Sequence, residues 1–479
     1  EAVTVYGPST HPPGATLQNA MQIQLRQEAL DNNTPALDDL AGILEALLKN
    51  QHFLEAFVAE PFEISEDSTI SVTRIQISDA VVNLVAGTGC LDTTIILGET
   101  KGEGGSVEID LHAVGTAAFL GDEILLSAKS IRIEGQICPQ GQDESLTLEI
   151  RDPRVTFDGF LLATDQYPDL AEDFPGTTAA LADAAEDALA RWIGESLADL
   201  VFEMLEGFGE GYAFGTAPVV TADFGLQRIQ VGPFGLLIDF SASFSAPTGF
   251  TNLPPSVGSL RTDDSALSGG FSQAPVAVAM SDDALNQLLF ANWYGAGIAD
   301  YEMPVDELDA LPEVFQPLSR LEVSVALPPT FVAPKQPEYA FDLATGGVAL
   351  ELLSGSNRHF DMELHIQAGV SIILDEEGAI SLDLDNRAQR ITVHANVTTA
   401  PPEHDRGDLA ALLRMMVPTI LGQVGVTYGG FPIPSFDLAA FSDNLSSFQG
   451  RTISFAPESF GRGGEGGGYF VVEGAIRED

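Results

Sequence analysis

The stretch from Pro275 to Ile298 constrains the fold more than any other, because the chain carries its pattern twice. Val276, Val278 and Met280 alternate with alanines, which gives a short strand with one buried face. Ser281 is an N-cap, and Asp282 and Asp283 follow in the first turn, where the helix dipole favours negative charge. Leu285, Leu288, Leu289 and Trp293 recur at helical spacing, and Gly295 and Gly297 stop the helix. Near the other end of the chain Met21, Ile23 and Leu25 alternate in the same way. Three polar residues follow (Arg26, Gln27 and Glu28), then Ala29-Leu30. Superposing Ala29-Leu30 on Ala284-Leu285 brings the apolar positions of both stretches into register. A repeat sets the architecture, here two halves of similar order.

Each half carries that order further. After an irregular, Pro-rich lead-in over residues 1–16 and a strand near 20–26, Thr34 caps a helix with Pro35 at its first position. Leu37, Leu40, Leu44 and Leu47 form its apolar face, and it runs to about Phe57. From Phe62 to Phe160 the period changes to two, and Gly-rich turns punctuate an antiparallel meander of about six strands. Residues 177–208 form the clearest helix, with Leu181, Ala185, Leu189, Trp192, Ile193 and Leu197 on one face and acids opposite. Some 30 helical residues span about 45 Å, which needs a long, curved sheet to bury the stripe. Closing strands follow at 226–231 and 235–245, then a Pro-, Gly- and Ser-rich linker over 246–273. The second half repeats strand, helix and strands. A late helix carries Leu409, Leu412, Leu413, Met416, Ile420 and Val424 on one face with a kink at Pro418. The domains are therefore 1–245 and 274–479, joined by 246–273.

The 479 residues suffice for a sizeable core, and 45% of them are hydrophobic, so the chain folds despite its charge. No apolar run reaches the length of a bilayer span. The N-terminal Glu-Ala-Val-Thr is not a signal peptide and would suit a mature end left by cleavage. Seventy acids against 21 bases leave a net charge of −49, a field that repels nucleic acid and anionic surfaces. A solvated acidic surface for a saline, bacterial setting is the plain reading of that charge. Calcium is the sharper one, but no Asp-x-Asp-x-Asp-Gly loop supports it, and Asp383 and Asp385 read as the wet face of a strand.

Cys90 and Cys138 are the only cysteines, and their spacing fits no zinc or redox motif. They are either one disulfide or two inert core thiols. The disulfide is favoured, which implies an oxidising compartment and contributes about 4 kcal/mol in the chain-entropy model.

Three phrases resemble one family. Ser281-Asp-Asp-Ala-Leu-Asn-Gln-Leu-Leu-Phe-Ala-Asn-Trp-Tyr-Gly-Ala-Gly, Phe431-Pro-Ile-Pro-Ser-Phe-Asp-Leu and Gln22-Ile-Gln-Leu-Arg-Gln-Glu-Ala-Leu are similar to the C-terminal barrel start, the Pro-rich turn and the opening strand and helix of one group. That group is the family of bactericidal permeability-increasing protein, lipopolysaccharide-binding protein and lipid-transfer proteins. The resemblance implies an α+β fold: an elongated two-barrel boomerang, each barrel a long helix wrapped by a twisted antiparallel sheet, the two joined by a central sheet. It implies acyl chains held in apolar grooves between helices and sheet, and one disulfide in the N-terminal barrel. Cys90 and Cys138 both fall in the meander, so that last correspondence is approximate. The basic N-terminal tip of the antibacterial members has no counterpart here. Lys49, Lys101 and Lys129 are scattered, and a lipid that is neutral or gripped by its tails fits better.

No Gly-x-Ser-x-Gly, His-Glu-x-x-His or P-loop occurs, and the seven histidines are scattered. The expectation is a non-enzymatic, cofactor-free lipid-binding or lipid-transfer protein, secreted, periplasmic or on the cell surface. Its lipid-facing residues are Leu40, Leu44, Leu47, Ala185, Leu189, Trp192, Ile193, Leu197, Leu285, Leu289, Trp293, Leu412, Met416 and Ile420. The alternative is a structural or self-assembling surface protein that uses the same fold with its grooves filled.

Overall fold

The computed structural model describes residues 10–12, 14–34, 36–49, 62–65, 68–98, 105–115, 123–141, 143–165, 167–169, 172, 174–192, 201–202, 212–214, 220–246, 258–262, 266–294, 300–304, 319–336, 338–354, 357–374, 380–384, 391–400, 405–411, 414, 417, 435–437, 452–464 and 467–478. In chain order the first half contributes β1 (Thr10–His11), β2 (Leu17–Leu25), α1 (Gln27–Leu30), α2 (Leu40–Leu48), β3 (Phe62–Ser65), β4 (Ser68–Ile77), β5 (Ala80–Ala86), β6 (Leu91–Gly98), β7 (Val107–Gly115), β8 (Glu123–Ala128), β9 (Ser130–Gln140), β10 (Thr147–Asp158), β11 (Leu161–Ala163), α3 (Pro175–Trp192), β12 (Tyr212–Phe214), β13 (Val220–Gly232) and β14 (Gly235–Ser245). The second half adds β15 (Ser259–Leu260), β16 (Val276–Ser281), α4 (Asp282–Tyr294), β17 (Asp300–Pro304), β18 (Arg320–Val325), β19 (Thr330–Val332), β20 (Phe341–Ser354), β21 (Asn357–Leu374), β22 (Ile380–Leu384), β23 (Thr392–Thr399), β24 (Ser435–Asp437), β25 (Thr452–Gly463) and β26 (Tyr469–Glu478). The fold is mixed α+β and dominated by antiparallel sheets.

The two copies of the repeated pattern meet. A central sheet runs β12-β13-β14-β2-β16-β26-β25-β24, so each half supplies four strands, and the repeated strands β2 and β16 pair antiparallel at the seam. The order reads the same from either edge: repeated strand, closing hairpin, short outer strand. One row crosses the sheet as Ile229, Ile238, Ile23, Val278, Val472 and Phe460, each directly opposite the next. Ile229, Ile238, Ile23 and Val472 are buried in the main apolar core, and the half-buried Val278 and Phe460 pack against it. Side chains on neighbouring strands at paired positions share a face, so this row fixes the buried side of the sheet.

The opposite face is covered too. Gln22 and Gln24 alternate with Met21, Ile23 and Leu25 and are 0% exposed. The stretch between the halves lies over them. Gln22 Oε1 accepts from Leu267 N at 2.6 Å, and Gln24 Oε1 accepts from Gly270 N at 3.0 Å. Gln24 Nε2 donates to Ser272 O at 3.0 Å, and Arg26 donates to the same carbonyl at 2.9 Å. Leu267 and Phe271 then pack on Ala277, Ala279, Tyr469 and Val471. Two side-chain amides thus do for residues 266–275 what a neighbouring strand would do, satisfying backbone groups that are out of water.

The expected meander over 62–160 is there, but it is bent into two sheets. One has the order β10-β9-β6-β5, the other β11-β8-β7-β4-β3. The chain passes between them at Ser78-Asp79, Gly98, Lys129 and Gly159, and these corners are stitched together. Ser78 N donates to Ser106 O, Gly98 N to Asp79 O, and Lys129 N to Asp158 O. Gly98 has φ +96°, and a Cβ there would lie 2.4 Å from Lys129 O, so the corner requires glycine. The disulfide joins Cys90 to Cys138 beside the Leu91–Ile137 pair of β6 and β9. It lies within the first of these sheets, as the position of both cysteines in the meander implies. The second half has its own seven-stranded antiparallel sheet, built around β17-β18-β20-β21-β22, with β19 on β20 and β23 on β21.

The helices start where local hydrogen bonds allow. α2 begins at Leu40 with Asp39 as its cap, the carboxylate accepting from Gly42 N. Thr34 does not cap it. Asn33 N donates to Asp31 Oδ1 and Thr34 N to Asn32 Oδ1, so this segment forms side-chain turns that compete with helix. Pro35 and residues 50–57 lie outside the described residues. α3 covers the first part of the expected 177–208 helix. Residues 201–202 are helical again, and 193–200 lie outside the description. The late helix is present at 406–411, 414 and 417, while Pro418 lies outside. Among the described residues no helix is long and apolar enough to cross a membrane.

Candidate functional site

α4 is the hub of the second half, and its polar residues hold other elements. Ser281 Oγ caps it by accepting from Ala284 N at 3.2 Å. Asp282 receives both terminal nitrogens of Arg462, at 2.8 and 2.5 Å, and the same guanidinium stacks 5.0 Å above Phe341. Asp283 is 2.9 Å from His11 Nε2 and accepts from Thr262 N at 2.6 Å. Asn286 grips the backbone of β19, donating to Phe331 O and accepting from Phe331 N. Gln287 donates to the carbonyls of Pro12 and Ala15, and Trp293 donates to Val325 O at 2.6 Å. A helix buried nearly all round needs every polar side chain to find a partner, and these residues find one on five different segments.

The expected lipid-facing residues fall into two groups. Leu40, Leu44, Leu47, Ala185, Leu285, Leu289 and Trp293 are buried and belong to one apolar cluster, which runs through both halves. That cluster also takes in Ile229, Ile238, Ile23 and Val472 of the central row, with Val278 and Phe460 packed against it. The side chains of Leu189 and Trp192, and residues Ile193, Leu197, Leu412, Met416 and Ile420, lie outside the described residues.

An open cleft of about 460 Å³ lies elsewhere, and none of those fourteen residues lines it. Its floor is the outer face of the second half's sheet. Thr330, Ala344, Gln367 and Thr392 form a straight row across β19, β20, β21 and β23, and His365 and His394 are paired in the next row. Leu364, Ala368 and Val370 alternate with His365 and Gln367 and point the other way, into the core. One wall is the turn at Leu327-Pro328. The other is the small β1–β15 sheet, through Thr10, Gly258 and Leu260. α4 holds that wall in place through His11, Thr262 and the carbonyls of Pro12 and Ala15. Sequence reading missed this cleft because its residues come from six separate segments and share no periodicity.

Polar groups around the floor are partly committed. Gln367 accepts from Lys335 Nζ at 2.5 Å and donates to Asp342 at 2.9 Å. Thr330 donates to Ala344 O, and His365 Nδ1 accepts from Gly347 N at 3.3 Å. Among the described residues no group of three or more His, Cys, Asp or Glu is placed to hold a metal ion. One acid outside the cleft is perturbed. Burial pushes the Asp39 carboxyl up from 3.8 to about 6, helped by the nearby charges of Asp31 and Asp38 and opposed by hydrogen bonds from Asn32 N and Gly42 N.

No protein-family model matches the chain. No curated protein matches it in sequence. Among solved structures it is similar to lipopolysaccharide binding protein at 12% identity and a TM-score of 0.40, over 96% of this chain and 98% of that one. It is also similar to P47 of Clostridium botulinum E1 at 9% identity and a TM-score of 0.30, over 97% of this chain and all of that one.

Proposed function

We propose that the protein binds lipid outside the cytoplasm, holding acyl chains in apolar grooves between its helices and sheets, and that it catalyses no reaction and needs no cofactor. The observation that supports this is the convergence of Leu40, Leu44 and Leu47 on α2, Ala185 on α3, and Leu285, Leu289 and Trp293 on α4 onto one apolar cluster spanning both halves. A bound chain gains about 0.8 kcal/mol for each CH₂ it buries in such surroundings. Leu189, Trp192, Ile193 and Leu197 extend the same helical face as Ala185 by spacing. In the second half Leu412, Met416 and Ile420 do so. The net charge of −49 favours a lipid that is neutral or held by its tails. The disulfide between Cys90 and Cys138 suits an oxidising compartment.

The test is extraction. Protein purified without detergent is extracted with organic solvent and the extract analysed by mass spectrometry. One or two lipids per chain support the reading and identify the cargo. An empty extract, together with no uptake of added fluorescent lipid, removes it. The alternative is an assembly protein. Against it stands the exposed edge strand β10, which is interrupted by a bulge between Arg151 and Arg154 that contains Pro153. Such an edge resists pairing with another sheet.

A further inference from the structure

We propose that the cleft on the outer face of the second half's sheet is a separate binding site for an uncharged aliphatic amphiphile with a hydroxyl head, of the monoacylglycerol type. Charge carries the argument. Acids and bases make up 19% of the chain, yet among the described residues that line the cleft there is no Asp, Glu, Lys or Arg. The charges beside the lining are engaged, Lys335 and Asp342 by Gln367 and Glu363 with His365 at 3.7 Å, so a ligand of either sign would lose water there without gaining a free charged partner. A carboxylate or phosphate would also approach against the field of the whole acidic chain. The volume of about 460 Å³ lies within the range of roughly 300–1,000 Å³ of small-molecule sites.

The shape assigns the two ends of the ligand. Leu260, Leu327 and Pro328 supply the apolar walls, and Leu327 is 50% exposed at the mouth. Ala344 and Gly346 keep the floor low. A Cβ on Gly346 would already stand 3.2 Å from His365 Nδ1 and 3.4 Å from Leu327 Cδ1. At the β23 side, Thr392 and His394 lie next to the committed Gln367 and His365 and make no side-chain hydrogen bond to any described residue. A hydroxyl both donates and accepts, so it matches a threonine beside an imidazole whichever ring nitrogen carries the proton. The wall formed by β1 and β15 is fixed by α4 before any ligand arrives, so little ordering cost is added on binding. Of the described lining residues only Ile366 also packs on the apolar cluster of the proposed acyl grooves, and the site stands whether or not those grooves hold lipid.

The experiment is calorimetric titration of the full chain with monolauroylglycerol, laurate and dodecyltrimethylammonium below their aggregation concentrations. Monolauroylglycerol is expected to bind at least tenfold more tightly than either ion. Ala344→Trp, which fills the floor, is expected to abolish that binding and leave the extractable lipid of the protein unchanged. Thr392→Val with His394→Ala alters exposed side chains only and is expected to weaken binding severalfold. No binding of monolauroylglycerol overturns the proposal. So does equal binding of laurate, or an affinity that neither the Trp variant nor the double variant changes.

Discussion

Ile23 and Val278 lie directly opposite each other across the seam of the central sheet. They are also equivalent positions of the repeat, since aligning Ala29-Leu30 on Ala284-Leu285 sets Ile23 on Val278. The local two-fold relation of the halves therefore passes through this pair. Each of the two is flanked by its half's closing hairpin, Ile238 and Ile229 on one side, Val472 and Phe460 on the other.

Truncating the pair tests the seam. Ile23→Ala is expected to cost about 2–5 kcal/mol, because a fully buried side chain is removed from close packing. Val278→Ala costs less, since Val278 is only half-buried. In urea unfolding, the double variant is expected to differ from the sum of the two losses by about 0.5–3 kcal/mol, as contacting residues do. Strict additivity would place the two side chains out of contact.

The Asp282–Arg462 pair ties the start of α4 to β25, and the Asp282 side chain is 5% exposed. Arg462→Ala strands a buried carboxylate and is expected to destabilise by about 3–5 kcal/mol. Asp282→Ala combined with Arg462→Ala is expected to lose clearly less than the sum of the single changes, because no unpaired charge remains. Equal loss from the sum and the pair would mean that the charges act independently.

Gln22 and Gln24 hold the stretch between the halves. Gln24→Ala removes the partner of Gly270 N and one of the two donors to Ser272 O, and Gln22→Ala removes the partners of Leu267 N and Leu267 O. Each is expected to cost about 1–3 kcal/mol. Hydrogen exchange in peptides covering 266–275 should speed up in both variants. Unchanged protection there would show that the segment is held by its apolar contacts alone.

Asp39 gives a pH dependence with a definite sign. Folded, it holds its proton up to about pH 6; its ordinary value is 3.8. Folding therefore takes up a proton between those values. The stabilising contribution is complete below 3.8 and is lost as pH rises through about 6, a change of about 2–3 kcal/mol. Asp39→Asn abolishes this titration. Between pH 4 and 7 the unfolding free energy of the variant should improve relative to the wild type by that amount. A difference that stays flat with pH would contradict the shift.

Much of the architecture was legible in the residues. Val276, Val278 and Met280 alternate, Ser281 caps, and the leucines after it recur at helical spacing; all of that became β16 and α4. What a one-dimensional pattern could not carry was direction out of the plane. Gln22 and Gln24 look like the wet side of a strand, yet they are buried, because residues some 245 positions away fold back over them. The corners at Ser78-Asp79, Gly98, Lys129 and Gly159 look like ordinary turns, yet they line up and bend one meander into two sheets. Thr34 and Pro35 form a good helix start on paper, but the chain of side-chain turns from Asp31 to Thr34 defers the helix to Asp39.

By itself, the sequence determined the mixed α+β class, the strand and helix over 276–294 and the absence of familiar catalytic motifs, because propensity, capping and periodicity are local and act within a few residues. Tertiary structure alone decided which strands meet at the seam, that the connection between the halves is a strap, and that Thr330, Ala344, Gln367 and Thr392 share one row beneath the cleft. Those outcomes rest on contacts between segments far apart in the chain. Their energy comes from burial and from satisfying backbone groups, and neither is written in the spacing of neighbours.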